Sequence, residues 1–376
     1  MKSGEIEQEE FNVTIPFEYR LGLIILKVNI YGEEYDFLLD TGAPNVISKQ
    51  LAKKLGISNI FERKFDDSQG QTSDLGMTKL DEISIGGIDF LNTGVAIADL
   101  KQSKELGCLQ IDGFIGSNLM RKAIWKFDYE NQIITISNSV ASLNISESSE
   151  KIPFSTHITG TPTIDIVLNG VKEKNVIVDL GSNGDISLSK KTFNKLVDTD
   201  PTISRAVSFS SSSSGLYGMG AKDSVQYALI SDISFGDVAL KNTVVEFTNE
   251  SAITIGTNYF KNYDLIINWF DKEIILTKKK EYDNSSLTSY GFSFNNKNDR
   301  LIVGGIYTNS SADHAGLKIN DIILKIDTKK YGVLTADQWC NIVENSLFNE
   351  EKSTITVTVL RQNEKLTFHL VKTKLL

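Results

Sequence analysis

A mainly β chain, built as two tandem copies of one β-rich unit with a further domain behind them, is what this sequence predicts. Three observations lead there. The segment Phe37-Leu38-Leu39-Asp40-Thr41-Gly42-Ala43 returns in altered form as Val176-Ile177-Val178-Asp179-Leu180-Gly181-Ser182. In each, an apolar strand runs into an Asp and then into a Gly that lets the backbone turn sharply beside the carboxylate. A second matched pair follows downstream, Phe114-Ile115-Gly116-Ser117-Asn118 and Thr254-Ile255-Gly256-Thr257-Asn258. From about Leu287 the pattern changes, and a short β-rich stretch with its own helix signals completes the chain.

The element order is the same in both copies. The aspartates lie 139 residues apart (179 − 40) and the downstream glycines 140 apart (256 − 116). A hairpin comes first, turning at Tyr31-Gly32-Glu33-Glu34 in one copy and at Leu168-Asn169-Gly170 in the other. After the Asp-containing strand end, Ser48 is placed to cap a helix over 49–55, and Ser189 one over 190–197. Alternating β segments fill the remainder. An ordered series of this kind points to an internal duplication. A Ser- and Asn-rich stretch near 138–151 joins the copies, and a Lys-rich break over 279–288 precedes the last domain. Glu5, Glu7, Glu9 and Glu10 mark an acidic lead-in over 1–10, expected to be disordered. The lobes then cover 11–137 and 152–278, and the last domain 289–376.

Composition narrows the functions. Lys and Arg total 39 against 48 Asp and Glu, a net charge of −9 with no basic stripe, which argues against a nucleic-acid partner. No apolar run is long enough to span a bilayer. The N-terminus lacks the apolar core of a signal peptide, which fits a cytoplasmic chain or an extracytoplasmic one whose signal has been removed. His157, His314 and His369 are scattered without metal-ligand spacing, so no metal and no other cofactor is expected. Cys108 and Cys340 lie in different predicted domains and are expected to be free thiols.

Asp40-Thr41-Gly42-Ala43 on an apolar strand, with Phe114-Ile115-Gly116 downstream, resembles the retropepsin-like and pepsin-like aspartic protease superfamily. The resemblance covers about residues 11–278. It implies two tandem retropepsin-like β-barrel lobes in a pepsin-like bilobal arrangement, acting as one monomeric protease unit on protein or peptide substrates. It also implies catalytic roles for Asp40 and Asp179. Two carboxyls a few ångströms apart share one proton; one takes a proton from water while the other hydrogen-bonds the substrate carbonyl. The handling of such a dyad in aspartic proteases is the standard case. Thr41, Gly42 and Ala43 on one side, and Gly181 and Ser182 on the other, would form the supporting loops. Leu180 departs from the family pattern, standing where a Ser or Thr hydroxyl is expected. Asp185 adds a carboxylate nearby that either faces the pair and raises its pKa or faces water.

Two polar, Gly-containing loops, Asp66 to Ser73 and Ser210 to Gly218, suit the mobile β-hairpin flaps of that superfamily and equally suit plain surface loops. The last domain, with Ala315-Gly316-Leu317-Lys318-Ile319-Asn320-Asp321-Ile322-Ile323-Leu324, resembles a PDZ domain of α+β type. By that resemblance Tyr290, Gly291 and Phe292 form the loop that holds a peptide's terminal carboxylate, and Thr335 caps the groove helix. The combined expectation is an aspartic endopeptidase whose PDZ domain binds substrate or partner peptides. Leu180 keeps a catalytically silent peptide-binding protein in view, and also a dimer in which two Asp40 loops meet.

Overall fold

The hairpin that carries Asp40 forms because both its strands are apolar on the faces they bury and its turn is local. In the strand Leu23–Ile30, Ile24, Leu26, Val28 and Ile30 enter the main core, while Leu23 and Ile25 enter a second cluster on the opposite face. Each such side chain contributes about 1.5–3 kcal/mol by leaving water. The two-residue turn to Glu33–Asp40 has positive φ at Tyr31 (53°) and Gly32 (87°), as a type I′ hairpin requires. The second copy repeats this with Asn169 (45°) and Gly170 (83°) between Pro162–Leu168 and Val171–Asp179. This computed structural model describes residues 3–67, 69–210, 214–219, 223–249, 252–348 and 351–376.

The downstream glycine segments slot in beside the aspartates. Gly113–Gly116 runs parallel to Glu33–Asp40 with Gly116 opposite Asp40, and antiparallel to Val46–Ser48 on its other side. Thr254–Gly256 does the same in the second half, with Gly256 opposite Asp179 and Ile186–Ser189 beyond. A side chain has no room at either glycine: an added Cβ would lie 2.4 Å from Ala43 O at Gly116 and 2.4 Å from Gly184 O at Gly256. Ser48 and Ser189 then cap the helices Lys49–Lys54 and Lys190–Thr199, accepting from Leu51 N at 3.0 Å and Thr192 N at 3.2 Å.

The chain is mainly β, but it does not form two tandem β-barrel lobes. The first half builds a nine-stranded sheet whose path runs from an edge at Ser3–Ile6 to an edge at Phe61–Asp66. A six-stranded sheet is shared between the halves, its centre the pairing of Ile124–Asp128 with Tyr263–Asn268. The second half lies in a fourteen-stranded sheet that continues into the C-terminal domain, where Arg205–Ser210 pairs with Arg300–Tyr307. Periodicity identifies strands but not their partners. Here Ile124–Asp128 takes its second partner from the other copy, and Arg205–Ser210 takes one from the last domain. The same need orders the acidic lead-in: Ser3–Ile6 pairs antiparallel with Ile88–Ala98, where disorder was expected.

The C-terminal domain has its own core of Phe292, Leu301, Val303, Leu317, Ile323, Trp339, Val357, Val359 and Leu370. Its long helix Ala336–Asn345 opens with a capping box between Thr335 and Gln338. Among the described residues no helix is long and apolar enough to cross a membrane. The expectation of free thiols is overturned: Cys108 and Cys340 form a disulfide, with S–S 2.05 Å and Cα atoms 5.2 Å apart. It joins the short helix Lys104–Leu109 of the first half to Ala336–Asn345 across 232 residues of sequence. Sequence distance misled because the two helices pack together in the folded chain, and Lys104 pairs with Asp299 beside them at 2.7 Å.

Candidate active site

Asp40 and Asp179 end their strands facing each other, and each loop is shaped around the other's carboxylate. Asp40 Oδ1 accepts from the backbone N–H of Gly42 at 2.8 Å and of Ala43 at 2.9 Å. Asp179 Oδ1 accepts from Gly181 N at 2.9 Å. The glycines are needed for approach across the interface. An added Cβ on Gly42 would meet Asp179 Oδ1 at 2.8 Å, and one on Gly181 would meet Asp40 Cγ at 2.3 Å.

Both carboxyls are half-buried and both are raised above the ordinary carboxylate range. For Asp40, desolvation is the main cause and the charge of Asp179 adds to it, against backbone N–H groups that lower it. For Asp179, desolvation again dominates, opposed by the N–H of Gly181 and the hydrogen bond with Asp40. The two lie close enough to titrate as a pair, so the raised values belong to the dyad as a whole.

Thr41 ties the two aspartate loops together. Its fully buried hydroxyl donates to Val178 O at 2.6 Å and accepts from Leu180 N at 2.8 Å, both across the interface. Leu180 has no hydroxyl to return these bonds; its side chain packs, fully buried, into the main core. A polar grip on one side is thus matched by apolar packing on the other. The neighbouring turns remain alike, with Ser117 N donating to Ala43 O at 3.0 Å and Thr257 N to Ser182 O at 2.8 Å. Ser182 meets Asp179 through its backbone N–H, while its hydroxyl accepts from Gly184 N at 3.4 Å. Asp185 is held by Asn258 at 2.7 Å and Tyr282 at 3.1 Å. Thr41→Val keeps the shape but leaves Leu180 N and Val178 O without their partner, and should lower the unfolding free energy by about 1–3 kcal/mol. The midpoint of a urea titration measures this.

The two candidate flaps meet around Asp67, which the sequence did not single out. Asp67 closes the tip between Phe61–Asp66 and Thr72–Ile85, its Oδ1 accepting from Gln69 N and Gln71 N. Its other oxygen accepts from Tyr217 N, on the second tip, at 3.1 Å. Leu216 and Tyr217 pack with Phe65 on a cluster that includes Leu38, Ala43, Val46 and Phe114, the residues flanking Asp40. Residue 68 of the first loop and residues 211–213 of the second lie outside the described residues. An Asp in a polar loop carries no local signal of such a role.

The candidate carboxylate loop is assembled from Tyr290, Gly291 and Phe292, apart from the aspartates in sequence and within the C-terminal core. Tyr290 and Phe292 are buried, and the Tyr290 hydroxyl donates to Lys352 O at 2.7 Å. Gly291 has a φ of 97°, and an added Cβ there would strike Ser310 Oγ. Any contribution of this loop to a ligand therefore comes from its backbone rather than from those two rings. Phe292–Lys297 runs on from the loop, and its Phe294 meets Trp339 of the helix Ala336–Asn345 edge to face, ring centroids 6.2 Å apart.

Residues 26–119 match the family model described as aspartyl protease, and residues 289–371 match that of the PDZ domain. No curated protein matches the chain. A retropepsin-like aspartic-protease domain containing Asp40 is therefore present, followed by a PDZ domain; Asp179 lies outside both matched stretches.

Proposed function

We propose that the chain is an aspartic-type endopeptidase in which residues 11–137 and 152–278 each supply one carboxyl. Asp40 and Asp179 share a proton and hold the attacking water. In the singly ionised pair, the ionised carboxyl takes a proton from the water as it attacks the peptide carbonyl. Its protonated partner hydrogen-bonds the carbonyl oxygen as charge develops there. The tetrahedral intermediate then collapses with proton transfer to the leaving amine. Gly42, Ala43, Gly181 and Ser182 present backbone N–H groups to the pair, and Thr41 sets the distance between the loops. The PDZ domain holds a substrate or partner peptide as an added strand, its terminal carboxylate on the backbone at Tyr290, Gly291 and Phe292.

The observation that carries this reading is reciprocal. Each glycine of one loop leaves just enough space for the carboxylate of the other. Desolvation and mutual repulsion favour one shared proton on the pair.

The test is cleavage of a denatured protein mixture as a function of pH. A bell is expected, since the active form has lost one proton but not two. Both pKa values are raised, so both limbs should lie above the ordinary Asp value of about 4, toward neutral pH. A bell centred well below pH 4 would contradict the proton assignment. Leu180 and the hairpin tips seated beside Asp40 favour the second reading, a cleft that binds peptide without cutting it. Peptide binding with no cleavage at any pH would establish that reading instead.

A further inference from the structure

We propose that the helix Lys104–Leu109 is a redox-released plug of the PDZ groove, which admits an extended peptide end only when Cys108–Cys340 is reduced. Peptide binding by the PDZ domain is the reading above on which this depends.

A PDZ groove is bounded by the open edge of a strand and by a helix, and its ligand adds to the sheet between them. Here the strand is Phe292–Lys297, whose described pairing is with Arg300–Tyr307 on one side. The opposite wall is Ala336–Asn345. Trp339 and Ile342 turn inward from that helix into the domain core, which leaves Cys340, half-buried, on its flank.

Lys104–Leu109 touches both walls. At its first residue, Lys104 Nζ lies 2.7 Å from Asp299 Oδ1 and 3.0 Å from Asn296 Oδ1, at the far end of the edge strand. One turn later Cys108 is bonded to Cys340 and packs against the core cluster of the PDZ domain. Six helical residues extend about 9 Å, roughly two strand spacings. That is the width of a slot meant for one added strand. These contacts lie at the end of the edge strand away from the carboxylate loop, so the upstream residues of a ligand would run into the helix.

The covalent bond is the main tether. The Lys104–Asp299 pair is exposed on both sides, and pairs of that kind hold weakly in water. A helix this short has little stability of its own. Its other face remains anchored, because Leu106 and Leu109 pack on the cluster that also holds Leu38 and Phe114 beside Asp40. The released helix would therefore swing rather than leave, and the movement would be felt at the cleft. Release follows ordinary thiol–disulfide exchange. A dithiol attacks one sulfur to give a mixed disulfide, and its second thiol then displaces the protein thiol. Two electrons and two protons pass to Cys108 and Cys340, which become thiols, and the dithiol is oxidised to a disulfide.

The experiment uses the full chain in three forms: oxidised, reduced with excess dithiol, and Cys108→Ser. The probe is a fluorescein-labelled ten-residue peptide ending in valine with a free carboxylate, followed by anisotropy. Amide exchange across Phe292–Lys297 is measured without peptide. The reduced chain and Cys108→Ser should bind the probe at least tenfold tighter than the oxidised chain, with faster exchange in the edge strand. An amidated peptide should lose that gain. Equal binding in oxidised and reduced chains would overturn the plug and leave the PDZ reading intact. Absence of binding in every form would overturn both. Should Cys108→Ser fold poorly, the reduced wild-type chain decides the matter.

Discussion

Replacing Asp179 with Asn should lower peptide-bond cleavage by about 10²–10⁴-fold, the range for losing a positioned acid–base group. The same loss is expected for Asp40→Asn. An amide oxygen at 179 can still accept from Gly181 N, and one at 40 can still accept from Gly42 and Ala43, so the loops keep their shape. What disappears is the proton that the pair shares. Since the two groups act as one unit, the double variant should lose little beyond either single one. Cleavage that survives Asp179→Asn but not Asp40→Asn would point instead to two Asp40 loops meeting in a dimer.

The same variants carry a stability signature that does not depend on finding a substrate. Both carboxyls have folded-state pKa values above their unfolded ones. Above the ordinary carboxylate value the folded chain then holds more protons than the unfolded chain. Stability falls as pH rises through the raised range. An Asn at either position removes its own share and relieves its neighbour of repulsion. The melting temperature of the variants should therefore decline less with rising pH than that of the wild type. Equal slopes would argue against a coupled pair.

Gly181→Ala is the second substitution with a large expected effect. The added methyl would lie 2.3 Å from Asp40 Cγ, far inside contact distance, so the loop or the carboxylate must move. Overpacking of this kind costs about 1–3 kcal/mol. A displacement near 1 Å at reacting groups can cost about 10²-fold in rate. Gly184→Ala is the matched control, three residues along the same loop. Its added Cβ meets only Ser182 Oγ at 3.6 Å, an ordinary contact. A Gly181→Ala chain with wild-type activity and melting temperature would mean that the two loops are not closely apposed.

Much of the candidate site's local structure was legible because its signals are local. The Asp-x-Gly strand ends, the paired turns at Gly32 and Gly170, the Ser48 and Ser189 caps and the capping box at Thr335 each depend on residues a few positions apart. The departure at Leu180 was legible for the same reason, although what replaces its hydroxyl was not. Thr41 holds both Val178 O and Leu180 N, and no pattern around Thr41 announces those partners. Asp67 was passed over because its meaning lies in Tyr217, 150 residues away.

By itself, then, the sequence determined a duplicated β-rich chain with one carboxylate per copy and a PDZ domain behind it. Turn, cap and periodicity signals are written in neighbouring residues, and those suffice for the elements. Only the tertiary structure decided which strands pair across the halves, that the sheets do not resolve into two barrels, and that Cys108 meets Cys340. Partner choice among strand edges and helix faces depends on burying many distant surfaces at once. No stretch of a few residues carries that information.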